Sequence, residues 1–228
     1  MNTNRTPSQV NAEAGPAGRR SIDRDTLLQA ALVLVGPHRS ISTLSLREIA
    51  REAGIAPNSF YRHFRDTDEL AVALIDSAGA ALRRIFSEAR RTIGSGRSVT
   101  RMSVEIFMSQ LDADDQLLPL LLREGTVGSA AFKQAVERQL RYFEDELLED
   151  MVRLEELQGH QLTDPRLAAR AITRLTFTMG ASALDQQPAE RAELVEQTAA
   201  MVRMIIRGAQ KNPAADQPTR IHGPADKP

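Results

Sequence analysis

Twenty residues near the start of the chain, Ser45 to Phe64 (SLREIAREAGIAPNSFYRHF), leave little choice of local structure. Ser45 and Glu48 have the spacing of a capping box, in which each side chain satisfies a backbone N–H that the first helical turn leaves unpaired. Leu46, Ile49, Ala50 and Ala53 recur at helical spacing, so Arg47, Glu48, Arg51 and Glu52 point to solvent or phosphate. Gly54 can take the positive φ that ends a helix, and Pro57 suits the first position of the next one. Two short helices joined this tightly make a helix-turn-helix.

The second helix, from Pro57 to Phe64, carries the chemistry. If Phe60 and Phe64 dock on the core, Asn58, Ser59, Tyr61, Arg62 and His63 are left outside, a set rich in hydrogen-bond donors. A helix in the major groove reads base edges with its N-terminal residues and grips phosphates with such side chains. A partly buried Tyr and His in a purely structural helix pair is the competing interpretation.

Charge supports the first. The whole chain has a net charge of −1, but residues 1–65 hold nine Lys/Arg against five Asp/Glu, and residues 66–228 hold twenty against twenty-five. A basic head on an acidic body suits a chain that meets phosphate at one end. Residues 1–20 have almost no apolar bulk and are expected to form a disordered arm ending in basic residues. Arg19, Arg20 and Arg24 could add phosphate or minor-groove contacts, or merely form a solvated charge cluster.

The rest is helical in period. Asp23 to Val35 forms a first helix with an apolar stripe at Leu27, Ala30, Ala31 and Leu34. Asp66 caps a helix to about Ile93 that links head to body. Further helices are expected at Ser98–Leu111, Gln116–Glu124, Ser129–Gln158, Pro165–Leu184 and Ala189–Ala209, and residues 211–228, with four prolines, read as a disordered tail. The expected fold is all-α with about nine helices. A three-helix DNA-binding head spans 21–66, and a ligand-binding and dimerisation body spans 67–210.

In the body, the nearly all-apolar Gln116–Glu124 helix beside a Gly-rich loop suggests a pocket wall. Phe107, Leu111, Leu118, Leu121, Leu122, Phe132, Val136 and Phe177 could line an elongated cavity, with Arg123 or Lys133 for a polar group, although each apolar one also suits an ordinary core. The last two helices are apolar on more than one face. Ile172, Leu175, Met179, Leu194, Thr198, Met201, Val202 and Ile205 are expected at a four-helix interface across a two-fold axis.

Other chemistries lack support. There is no cysteine, the four histidines have no metal-ligand spacing, and no phosphate-cradling or nucleophile-elbow motif is present. Neither a metal nor a resident cofactor is expected, and an enzyme is the least supported class. The longest apolar run is six residues, as in Leu70–Ile75, against the ~20 that span a bilayer. No membrane partner or export signal is expected, and the expected location is the cytoplasm.

The stretch from about Ile22 to Leu70 resembles the DNA-binding domain of TetR-family transcriptional regulators, whose recognition helix ends in a Tyr-x-His-Phe pattern matched by Tyr61, Arg62, His63 and Phe64. The longer run SLREIAREAGIAPNSFYRHFRDTDEL, with LLLRE at 120–124 and SAAFKQAV at 129–136, is similar to one subgroup, the FabR and DesT repressors of unsaturated fatty acid synthesis. This resemblance spans roughly residues 20–210. Asn58, where that subgroup usually has Thr, and Thr67, where many family members carry a phosphate-contacting Lys, depart from the pattern.

The resemblance implies a homodimer on a palindromic double-stranded operator, with Arg19, Arg20, Arg24, Ser45, Arg47, Pro57, Asn58, Ser59, Tyr61, Arg62, His63 and Thr67 at or near the DNA. It also implies a hydrophobic effector, long-chain acyl-CoA. The alternatives are a TetR-like repressor of an efflux or catabolic operon and, in a different class, a helical lipid-binding carrier.

Overall fold

The computed structural model describes residues 23–36, 39–92, 98–113, 115–158 and 161–211. Arg19, Arg20 and most of both expected tails lie outside them. The described residues form nine helices: α1 (Arg24–Val35), α2 (Leu46–Glu52), α3 (Pro57–Phe60), α4 (Thr67–Thr92), α5 (Ser98–Ser109), α6 (Leu117–Val127), α7 (Ala130–Gln158), α8 (Pro165–Ala183) and α9 (Pro188–Ala209). Among them the only extended pairing is a single bridge between Leu162 and Gln210.

Helix starts follow side-chain chemistry. Asp23 caps α1 by accepting from Thr26 N at 2.9 Å. The capping box of α2 is complete, with Ser45 N donating to Glu48 Oε2 at 2.9 Å and Glu48 N to Ser45 Oγ at 3.3 Å. Those bonds from Ser45, helped by Arg39, hold the Glu48 carboxyl at about 2 against an ordinary 4.5. Asp66 accepts from Glu69 N at 2.8 Å at the start of α4, while Glu69 reaches back to Arg65 N at 2.7 Å. The Glu69 N–H bond, then Arg65, lowers the Asp66 carboxyl pKa. Gly54, at φ +69°, makes the turn from α2 to α3, a backbone angle that costs glycine little.

Helix α3 is shorter than the period suggested. It is regular only from Pro57 to Phe60 and then tightens, with Arg62 N bonding Ser59 O at 3.3 Å and His63 N bonding Phe60 O at 2.9 Å. Ala56 offers no side-chain cap, so this short segment keeps its shape through the burial of Phe60 and Phe64.

The expected division at residue 66 crosses a continuous core. Leu27, Ile41, Phe60 and Phe64 of the head share one buried cluster with Leu70 and Leu74 of α4 and Leu118, Leu121 and Phe132 of the body. Helix α4 contributes to both, and its 26 residues extend ~39 Å at 1.5 Å per residue. A smaller cluster, Met151, Ala168, Ala169, Ile172 and Val202, joins α7, α8 and α9. Its end is pinned by Thr163 N to Ala209 O at 2.7 Å and Lys211 N to Gln161 O at 2.9 Å.

Charged pairs tie the long helices side by side. Arg138 of α7 contacts both oxygens of Asp76 on α4 at 3.0 Å. Arg174 of α8 reaches Glu137 and Glu144 of α7 at 2.5–2.6 Å, and the Glu137 bond foremost raises its pKa. Gly79 of α4 lets buried Gln139 of α7 come close enough to bond Asp76 and Arg83.

Candidate nucleic-acid interface and effector cavity

Burial of Phe60 and Phe64 fixes what α3 and the turn after it present. Tyr61 is 62% exposed. Pro57, Asn58 and Arg62 are also exposed, Ser59, His63 and Thr67 are half-buried, and Arg47 of α2 stands in solvent. Tyr61 packs edge-on against Phe60, ring centroids 6.0 Å apart, so its ring is propped while its hydroxyl end projects. Asn58, Tyr61 and Arg62 offer amide, phenol and guanidinium groups on a rigid segment, chemistry that serves both base edges and phosphates.

Two expected contacts are already engaged within the protein. Ser45 Oγ bonds Glu48 Oε2 at 2.8 Å, so it would have to share its hydroxyl with a phosphate. Arg24 lies over the Phe64 ring, 4.8 Å from its centroid.

The head is held to the body at a defined place. A short turn, Ile41–Thr43, lies between α1 and α2. Ile41 N donates to Glu124 Oε1 of α6 at 2.9 Å, and Ser40 Oγ donates to Glu124 Oε2 at 3.2 Å. Glu124 has 0% exposure.

The body contains a cavity of about 360 Å³ between α4, α5, α7, α8 and α9. Four phenylalanines from four helices meet on its wall: Phe86 lies 5.6 Å from Phe107 and 5.9 Å from Phe143, and Phe177 lies 5.2 Å from Phe107 and 5.1 Å from Phe143. Val104, Leu147, Met151, Ile172 and Val202 extend the apolar lining, with Ser103, Thr173 and Thr176 as hydroxyls. The charged lining residues are Arg90 and Asp150, which pair with each other. Glu146 next to them pairs with Arg83 at 3.1 Å, yet burial outweighs the arginines and raises its carboxyl pKa.

This cavity departs from the one the sequence suggested. Of the expected lining set only Phe107 and Phe177 reach it. Leu111, Leu118, Leu121, Leu122, Phe132 and Val136 are buried in the cluster that joins α6 to the head and α4. Lys133 is exposed on α7 and Arg123 half-buried on α6, neither on the cavity wall. The expected interface set also divides. Ile172 and Val202 face the cavity and Thr198 is fully buried, its hydroxyl on Leu194 O at 2.7 Å. Leu175, Met179, Leu194, Met201 and Ile205 are half-buried. On the same two helices Leu167 and Met204 are 61% and 69% exposed.

Residues 27–74 match the family model of bacterial regulatory proteins, tetR family. That segment is similar to the DNA-binding domains of that family. The fold of the rest agrees. Reduced NemR from E. coli superposes with a TM-score of 0.63 at 20% identity, over 84% of this chain and 98% of that one. FadR from Bacillus subtilis in complex with stearoyl-CoA gives 0.63 at 14%, over 81% and 98%. A tetR-family regulator from Streptomyces coelicolor gives 0.61 at 23%, over 82% and 81%. These are likenesses of fold.

Among the described residues no group of His, Cys, Asp and Glu is placed to hold a metal, and no helix is long and apolar enough to cross a membrane. Sequence reasoning missed Phe86, Phe143, Arg90 and Asp150 of the cavity, and Glu124. The signal for the phenylalanines was available, since each sits on the buried face of an amphipathic helix. Which buried faces enclose a void is set by helix crossing, which periodicity does not encode.

Proposed function

We propose that this TetR-type regulator is a homodimeric repressor of unsaturated fatty acid synthesis genes. It binds a palindromic operator and responds to long-chain acyl-CoA. The observation that carries the regulator reading is the exposed Asn58, Tyr61 and Arg62 group, propped on buried Phe60 and Phe64 in a basic head. Each subunit presents that group to one major groove, with half-sites ~34 Å apart. The exposed Leu167 and Met204 make α8 and α9 the natural partner surface.

Helix α4 connects the two activities. It begins at Thr67 beside the turn that carries Tyr61 and Arg62, and it lines the cavity at Phe86, Ala89 and Arg90. An effector that fits the cavity better at one tilt of α4 favours one separation of the two heads, and equal fit would shift nothing. The apolar cavity suits an acyl chain, and the similarly folded FadR from Bacillus subtilis holds stearoyl-CoA. The FabR and DesT resemblance supports the choice of genes.

The four-phenylalanine wall also favours a second reading, a repressor of an efflux or catabolic operon sensing a flat aromatic molecule, because offset and edge-on ring contacts add to apolar burial. Fluorescence anisotropy on a promoter fragment from an unsaturated fatty acid synthesis gene separates them. Specific binding that changes with saturated and unsaturated long-chain acyl-CoA supports the first. Specific binding indifferent to both supports the second, and equal binding to scrambled duplex would point to the lipid carrier.

A further inference from the structure

Glu124 is the chemical oddity of α6. The helix is otherwise docked by Leu118, Leu120, Leu121 and Leu122, all buried, and apolar packing alone would hold it. Burying a carboxyl group costs free energy unless its oxygens are bonded, and here both are, each by one donor of the head. Such bonds are directional, whereas leucine packing is not. The site is also shaped for this side chain. A Cβ on Gly128 would stand 2.9 Å from Glu124 Oε2 and 2.4 Å from its backbone oxygen, so the carboxyl group occupies space that any other residue at 128 would crowd.

What the carboxyl group holds is in turn fixed to the helix-turn-helix. Arg39, next to Ser40, donates to Thr43 Oγ1 at 3.0 Å and Thr43 O at 2.9 Å, and pairs with Glu48 of α2 at 3.2 Å. Displacement at Ser40 and Ile41 therefore carries α2 with it. On its other side α6 meets the cavity wall. A Cβ on Gly180 of α8 would lie 2.7 Å from Phe107 Cε1 and 3.4 Å from Leu122 Cδ1, so the cavity-lining Phe107 and the α6 residue Leu122 share one narrow contact point.

We infer that Glu124 is the positioning residue of the DNA-binding head: its two bonds to Ser40 and Ile41 set the angle of the helix-turn-helix on the body. The inference rests on the proposed dimeric operator binding and deepens it, because a fixed head angle on each subunit fixes the half-site spacing the dimer accepts. Glu124→Gln keeps an acceptor for Ile41 N–H and a polar partner for Ser40. Glu124→Ala keeps neither.

The test measures binding of full-length wild type, Glu124→Gln, Glu124→Ala and Ser40→Ala to the palindrome that wild type enriches from a random pool of duplexes. It repeats the measurement with two base pairs added to or removed from the spacing, at one salt concentration. Wild type and Glu124→Gln should lose about fivefold or more on the altered spacings, the scale of an ordinary coupling between sites. Glu124→Ala should bind all spacings within about twofold of one another, as a loosened head would, with Ser40→Ala between. A loss of stability alone lowers the active fraction equally on every duplex, so it cannot imitate this pattern. Undiminished spacing discrimination in Glu124→Ala, or in Ser40→Ala should the former not fold, overturns the assignment. A wild type without palindrome preference overturns the dimeric reading itself.

Discussion

Gly79→Ala reverses the usual effect of that substitution in a helix. Replacing a mid-helix glycine by alanine ordinarily stabilises by about 1 kcal/mol. Here the added Cβ would stand 2.4 Å from Oε1, 2.6 Å from Cγ and 2.7 Å from Cδ of Gln139. Gln139 cannot simply swing aside, because it is 3% exposed and bonded to both Asp76 and Arg83. Overpacking costs about 1–3 kcal/mol, and a buried group left unsatisfied when those bonds break costs about 1–3 kcal/mol more. Offset by the helix propensity gain, the net loss should be roughly 1–5 kcal/mol.

The assay is urea unfolding at fixed protein concentration, in wild-type and Gln139→Ala backgrounds. Gly79→Ala should lower the midpoint in the first and raise it in the second, where the obstructing side chain is gone. A stabilising or neutral effect in the wild-type background, or the same effect in both, would refute the packing argument.

Other outcomes follow from the same geometry. Tyr61→Ala and Arg62→Ala should each weaken operator binding while changing stability by less than about 0.5 kcal/mol, since both side chains are exposed; unchanged anisotropy curves for both would remove them from the interface. Arg47→Ala should reduce the slope of log affinity against log salt by about one if Arg47 neutralises one phosphate. Gly180→Ala presses Phe107 towards the cavity and should weaken palmitoyl-CoA binding, read by calorimetry, without weakening operator binding by the unliganded protein. The carboxyl of Glu48 is held at about 2 against 4.5. Because its folded pKa is depressed, its contribution to stability is complete above about pH 4.5 and is lost as pH falls towards 2. The stability advantage of wild type over Glu48→Gln should shrink over that window in urea titrations.

Local rules made the head legible. Ser45, Glu48, Gly54, Pro57 and the Phe60–Phe64 pair act within a few residues of one another, and their roles are the same in the chain and in space. The end of α3 was not legible, because after Phe60 the backbone bonds tighten to suit the docking of Phe64 on the body. The cavity was the least legible part. Leu118, Leu121 and Phe86 look alike in a sequence, but only the last faces a void, as the crossing of α4, α5, α7 and α8 decides. Glu124 ended an apolar run and its partners lie 83 and 84 residues away, so nothing local could mark it.

Dimeric, sequence-specific DNA binding is read out by selection of bound duplexes from a random pool by the full-length protein, with Tyr61→Ala/Arg62→Ala as control. An inverted repeat with half-site centres about one helical turn, or a multiple of it, apart should be enriched by wild type and not by the control. A pool that stays random, or the same repeat drawn out by the control, would contradict that mode of binding.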